Sequence, residues 1–235
     1  MKITLLTGKI FDIENAFDFP LKVKTSFKSK RISIRIDHKK RIAVLSMPIW
    51  YSKSKACAFI EVHRDWIEEK LFELPEAKNF EDGEQISVCG RLLTICHKPS
   101  FGAPHITENR LCVGGEPVFL HRRVKDFIKR EAKKQFLIQS QNLAQKIGCQ
   151  LTGVSIKDTT SRWGSCSSLK HINYNWRIAL APPYVIDYII AHEVAHLKHQ
   201  DHSPSFWDLV KSLCPAAEAG KAWLKSHGNE LYAYR

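Results

Sequence analysis

Hydrophobic positions along this chain change period several times, and each change marks an element. Leu21-Lys22-Val23-Lys24 alternates, as does Arg31-Ile32-Ser33-Ile34-Arg35-Ile36, which puts Ile32, Ile34 and Ile36 on one face of a strand. Asp37-His38-Lys39-Lys40 reads as a turn, 42–45 as the returning strand, and Pro48 as its end. The period then lengthens: Ala56, Phe59, Ile60, Trp66, Ile67 and Leu71 fit one amphipathic helix over 53–73, closed by Pro75. Residues 86–88 and 92–95 predict a second hairpin around Cys89-Gly90, and 111–113 a short strand stopped by Gly114-Gly115. A long helix is predicted over 119–147, with Val124, Phe127, Ile128, Phe136, Leu143 and Ile147 towards a core and Gly148 as its cap. A strand at 151–156 and a hairpin built from 161–167 and 172–177 come next. Pro182-Pro183 then opens a helix that is apolar almost throughout, and two further helices flank Pro215.

Those elements predict an α+β fold. A β-rich N-terminal region with one amphipathic helix spans 1–117, and a helical domain with a small antiparallel sheet spans 118–235. The 235 residues and 44% hydrophobic content suit a globular chain of this kind. No apolar run approaches the roughly 20 residues of a membrane span, and the N-terminus is too weakly apolar for a secretory leader. Seven cysteines, odd in number and without a C-x-x-C spacing, read as reduced thiols in the cytoplasm. The net charge of +12 favours anionic partners, nucleic acid or nucleotides among them, but no recognised binding motif accompanies it. The lysines and arginines of the long helix read as a solvated face.

The chemistry concentrates in the apolar helix. His192-Glu193-Val194-Ala195-His196 is an H-E-x-x-H pattern: residues four apart share a helix face, so both imidazoles can bind one metal ion. Glu193 stands one position round, within reach of a water on that ion but not a ligand, as a general base must. Catalytic zinc keeps three protein ligands and an open position. The third ligand expected here is His202, set just before a new helix by Ser203 as N-cap and Pro204 at its first position. His199 and Glu218 are the competitors. Phe206 and Trp207 are expected to hold the His202 segment against the core, and Asp208 to support a ligand histidine. Arg162, Tyr174 and His171 are open candidates for a second electrophile. Cys166 reads as a packed thiol, since no Cys-His-Asn order supports a nucleophile. The strand pair before the metal helix is placed to receive an extended peptide.

Several segments together carry a likeness to a known family. RWGSCSS, INYNWRI, the paired prolines before VIDYIIAHEVAHL, and HSPSFW resemble the YgjP-type metallohydrolases, which are related to SprT-like zinc metallopeptidases. KSKRISIRID, HRDWIEEKL and FEDGEQISVCGRLL extend that resemblance over nearly the whole chain. It implies a zincin-like catalytic domain, Zn2+ on His192, His196 and His202, and Glu193 as base. It also implies that Arg162 to Ser167, with Trp163, Ser165 and Cys166, lines the active-site side. Where metzincins carry Gly three residues after their second histidine this chain has His199, so the metzincin fold is not inferred.

Three readings differ in class. The first is a zinc metallopeptidase acting on a peptide or protein. The second is a metal-dependent phosphohydrolase of nucleoside triphosphates, motivated by the basic charge but lacking a P-loop. The third is a nucleic-acid-associated protein with structural zinc, disfavoured by an intact Glu193.

Overall fold

A computed structural model describes residues 2–4, 10–38, 40–100 and 102–234; Lys39, within the predicted turn, lies outside the described residues. By internal contacts the chain divides into two units, Met1–Glu76 and Ala77–Arg235.

The first unit begins with an antiparallel ribbon of β1 (Lys2–Thr4) and β2 (Ile10–Asp12). Its three-stranded sheet has the order β3 (Leu21–Ser26), β5 (Ile42–Pro48), β4 (Ser33–Asp37). The predicted hairpin is present: β4 pairs antiparallel with β5, aligning Ile34 with Leu45 and Ile36 with Ala43, while β3 joins the other edge in parallel. The period of two therefore puts Ile34, Ile36, Ala43 and Leu45 on one face, and Ala43 and Leu45 form a core with Ala56, Ile60 and Ile67.

The helix expected over 53–73 is two helices, α1 (Lys53–Val62) and α2 (Arg64–Phe72). His63 causes the break. Its Nδ1 sits 2.8 Å from the Phe59 carbonyl, the group its own amide would use in a continuous helix, and that amide donates to Ile60 instead at 3.0 Å. Past the break the face rotates, so Ile67 stays buried but Trp66, expected in the core, is 41% exposed.

In the second unit, β6 (Gln85–Val88), β7 (Arg91–Lys98), β8 (His105–Thr107) and β9 (Arg110–Gly114) form a sheet of order β6-β7-β9-β8. The β6–β7 hairpin turns on Cys89 and Gly90, both at positive φ (51° and 82°), the geometry a two-residue primed turn requires. Sequence patterning groups these strands with the N-terminal region up to 117. They belong instead with the C-terminal helices, because Ile86, Val88, Leu93, Ile95, Leu111 and Val113 share one core with Val124, Phe127 and Phe136 of α3 (Leu120–Lys146). The division by contacts falls at 76/77.

The smaller sheet has the order β10 (Gly153–Lys157), β12 (His171–Asn175), β11 (Gly164–Cys166). β11 and β12 are the predicted antiparallel hairpin, but β10 pairs with β12 in parallel, so the sheet is mixed and not antiparallel. The crossover from β10 leaves β11 as an edge strand. Three helices complete the unit: α4 (Pro183–Ala195), α5 (Pro204–Leu213) and α6 (Ala217–His227). α4 is buried on most sides, from Val185 and Ile186 through Ile190 to Val194 and Ala195, which accounts for its nearly unbroken apolar sequence. Gly220 of α6 lets it lie close to α4: a Cβ there would come within 2.6 Å of Tyr188 Cβ. No described helix is long and apolar enough to cross a membrane.

Candidate metal centre

α4 ends at two of the candidate ligands. His196 is its C-cap, and the chain leaves through tight turns in which the amides of Leu197 and Lys198 donate to Val194 and Ala195. A few residues later Ser203 opens α5, with Pro204 in its first turn. Ser203 holds the N-cap position, but its hydroxyl makes no capping bond; its amide donates to Asp201 Oδ1 at 3.3 Å. This short return brings His202 back over the helix it has just left. Among the described residues, the metal-ligating side chains whose ligand atoms converge are His192, His196 and His202, all within 4.8 Å of one another. His202 Nε2 lies 3.3 Å from His192 Nε2.

The donor set fits a divalent metal ion. Burial, then the neighbouring His196, His202 and Lys221, push His192 down to about 4, and burial also lowers His196. Both rings are therefore neutral near pH 7, the state that binds metal. His196 Nδ1 lies 2.9 Å from the carbonyl of His199; donating there, it leaves the Nε2 lone pair for a ligand. His199 thus serves through its backbone, and its side chain is not in the cluster. Glu218 is also outside it, 3.9 Å from Lys211. Phe206 is fully buried and lies under the triad, its ring centre 4.5 Å from His196, 4.8 Å from His202 and 5.0 Å from His192. Asp208 makes no hydrogen bond to a ligand histidine among the described residues, and His192 Nδ1 has no partner in its buried position.

Glu193 is 4% exposed, and its Oε2 is buried without a hydrogen bond. Burial pushes its carboxyl up to about 8, partly opposed by Arg162. Gly164 of the edge strand explains how the carboxylate is seated. A Cβ at Gly164 would stand 2.4 Å from Glu193 Oε1, so only glycine lets β11 come this close.

The RWGSCS segment meets this site as a group. Arg162, Gly164, His192 and Glu193 line two adjoining grooves; Trp163 borders one, and Ser165 and Cys166 the other. Burial and Glu193 raise the Cys166 thiol to about 11, so it is protonated at neutral pH. Tyr174 does not join them. It is wholly buried and its hydroxyl is 2.9 Å from Ser140 Oγ, which removes it from any substrate. His171 is paired with Ser155 at 2.8 Å and lines neither groove. The alternation along β12 holds the signal for this: Tyr174 shares its face with Ile172, the core side.

An ion pair between a buried arginine and a half-buried aspartate, with no mark in the local sequence, steadies the loop carrying Arg162. Arg177 is 1% exposed and sits between the rings of Trp176 and Tyr232, with Nη1 2.6 Å from Asp158 Oδ1 and Nε donating to the Tyr234 carbonyl. The Asn175 side chain donates to the Thr159 carbonyl at 2.8 Å, and its backbone amide to that of Trp163 at 2.7 Å.

A family model described as YgjP-like, metallopeptidase domain, matches residues 30–227. Neither the curated proteins nor the solved structures yield a match.

Proposed function

The chain belongs to the YgjP-like metallopeptidase family, and on that footing we propose that it is a zinc-dependent peptidase with Glu193 as general base. The observation that carries this reading is the convergence of His192, His196 and His202 beside a buried carboxylate one residue from the first ligand. Zinc on three histidines would supply a Lewis acid that lowers the pKa of water to about 7 and polarises a carbonyl. The charge of a bound zinc ion would offset the burial that raises Glu193 and keep it ionised, so that Glu193 would take the proton from the attacking water and return it to the leaving amine. Its seat under Gly164 aims it at the groove in front of the histidines. Arg162 supplies the second positive charge for the developing oxyanion. An extended substrate adds to β11, whose outer edge is unpaired in the sheet order, and whose Gly164 packs against the Glu193 side chain. Seven free thiols suit a reducing compartment, and the reading places the protein in the cytoplasm.

The test is a hydrolysis screen of the zinc-loaded protein with peptide libraries and nucleoside triphosphates side by side, with Glu193→Gln as control. Peptide cleavage that falls by about 10²–10⁴ in the control is the expected result. Triphosphate cleavage lost in the control would replace the peptidase with a phosphohydrolase. Nucleic-acid binding that falls steeply with salt, survives Glu193→Ala and comes with no hydrolysis would favour the structural-zinc reading.

A further inference from the structure

We infer that the groove on the α6 side of the metal centre selects substrates carrying a carboxylate near the bond to be cut, and that Lys221 and Lys225 read that carboxylate. The inference rests on the peptidase reading above. The two grooves that meet at Gly164, His192 and Glu193 differ in charge. One is a cleft of about 360 Å³ walled by Arg162, Trp163, Tyr188, Lys221, Leu224 and Lys225. The other is walled by Ser161, Arg162, Ser165, Cys166, Gln200 and the remaining histidines. Apart from Glu193, which is occupied with the proton, the first groove holds three cations and no acid.

These cations are placed by the fold. Lys221 and Lys225 are four apart on α6 and so share one face. Gly220 fixes that face against α4, since its missing Cβ is what allows the approach to Tyr188. The Lys221 ammonium rests 4.6 Å from the ring centre of Trp207, an aromatic seat that limits its wandering. Among the described residues neither lysine nor Arg162 forms an ion pair, and the nearby Glu218 is turned to Lys211. A neutral peptide backbone needs no such charge. Arg162 already faces Glu193, but Lys221 and Lys225, beside a site for a divalent cation, have no such acid, and a substrate anion relieves the repulsion among these charges. A carboxylate reaches the groove from an Asp or Glu side chain or from the chain's C-terminus.

The experiment uses the full zinc-loaded chain and N-acetylated hexapeptides. One set walks a single Glu through a neutral, C-terminally amidated sequence; a second replaces that Glu by Gln; a third leaves the C-terminal acid free. At one position Glu, or the free terminus, is expected to raise kcat/KM about tenfold over its uncharged counterpart, the scale of a few partly exposed ion pairs acting together. Which set responds tells the side chain from the terminus. The double variant Lys221→Glu, Lys225→Glu should invert the preference towards Lys at that position. The double variant Lys133→Glu, Lys134→Glu, the same charge change at exposed residues of α3, should leave the preference as in the parent. Affinities of the zinc-loaded Glu193→Gln protein for the same peptide pairs give a second readout that needs no turnover. Cleavage with equal rates for Glu and Gln at every position would overturn the inference and leave the peptidase standing. Absence of all cleavage would overturn the peptidase reading, and equal affinities for each pair would then overturn this one as well.

Discussion

The three histidines come from two very different stretches of chain. His192 and His196 extend from α4, a helix buried on most sides, whereas His202 is exposed on a turn between two helices. Burial makes the first pair rigid: α4 cannot rotate without moving Ile190, Val194 and Ala195 through packed neighbours. The turn has no such packing of its own. It borrows rigidity from Phe206, in the first turn of α5, whose ring touches all three imidazoles. The difference teaches how a candidate metal site is assembled economically, with one element fixing two histidines and the proposed base, and a short return bringing the third histidine.

Breaking the support of the turn should have the largest effect. Phe206→Ala removes a fully buried ring and is expected to cost about 3–5 kcal/mol of stability. Denaturant unfolding of the metal-free protein measures it, and a loss below about 1 kcal/mol would mean that the turn is held by something else. A smaller effect is expected on the helix side. Gly164→Ala puts a methyl group 2.4 Å from Glu193 Oε1, so the strand or the carboxylate must shift, at about 1–3 kcal/mol. The expected signature is a fall in kcat with zinc content preserved, because the base moves and the ligands do not. Least affected should be a change at Cys166. With its thiol raised to about 11, the protonated form prevails at all pH values below that, and the thiolate appears only as pH approaches it. Iodoacetamide should therefore label Cys166 in the folded, metal-free protein slowly near neutral pH and at an ordinary rate in denaturant. Cys166→Ser should keep peptide cleavage within about twofold. Loss of cleavage in that variant would require a chemical role for sulfur.

The helix is far more legible in the sequence than its surroundings. H-E-x-x-H is a local pattern whose geometry follows from 3.6 residues per turn, and Ser203-Pro204 announces the start of α5 right after His202. The features that escape sequence reading depend on distant partners. Arg177 and Asp158 are 19 residues apart, and nothing local marks Arg177 as buried. The contact of Gly164 with Glu193 joins two elements whose docking no periodicity describes. The break at His63 comes from a side chain competing with its own backbone for one carbonyl, which propensity does not register. Tyr174 misleads because its hydroxyl suggests chemistry while its place beside Ile172 in β12 points to the core.

The central claim is that one metal ion is held by His192, His196 and His202, and that His199 contributes only a carbonyl. Zinc stoichiometry and affinity of the parent, His202→Ala and His199→Ala proteins test it most directly. One zinc per chain is expected in the parent and in His199→Ala. In His202→Ala the affinity should fall by at least about 100-fold, beyond what changes outside the ligand set produce. Equal loss in both variants, or full occupancy in His202→Ala, would contradict the assignment.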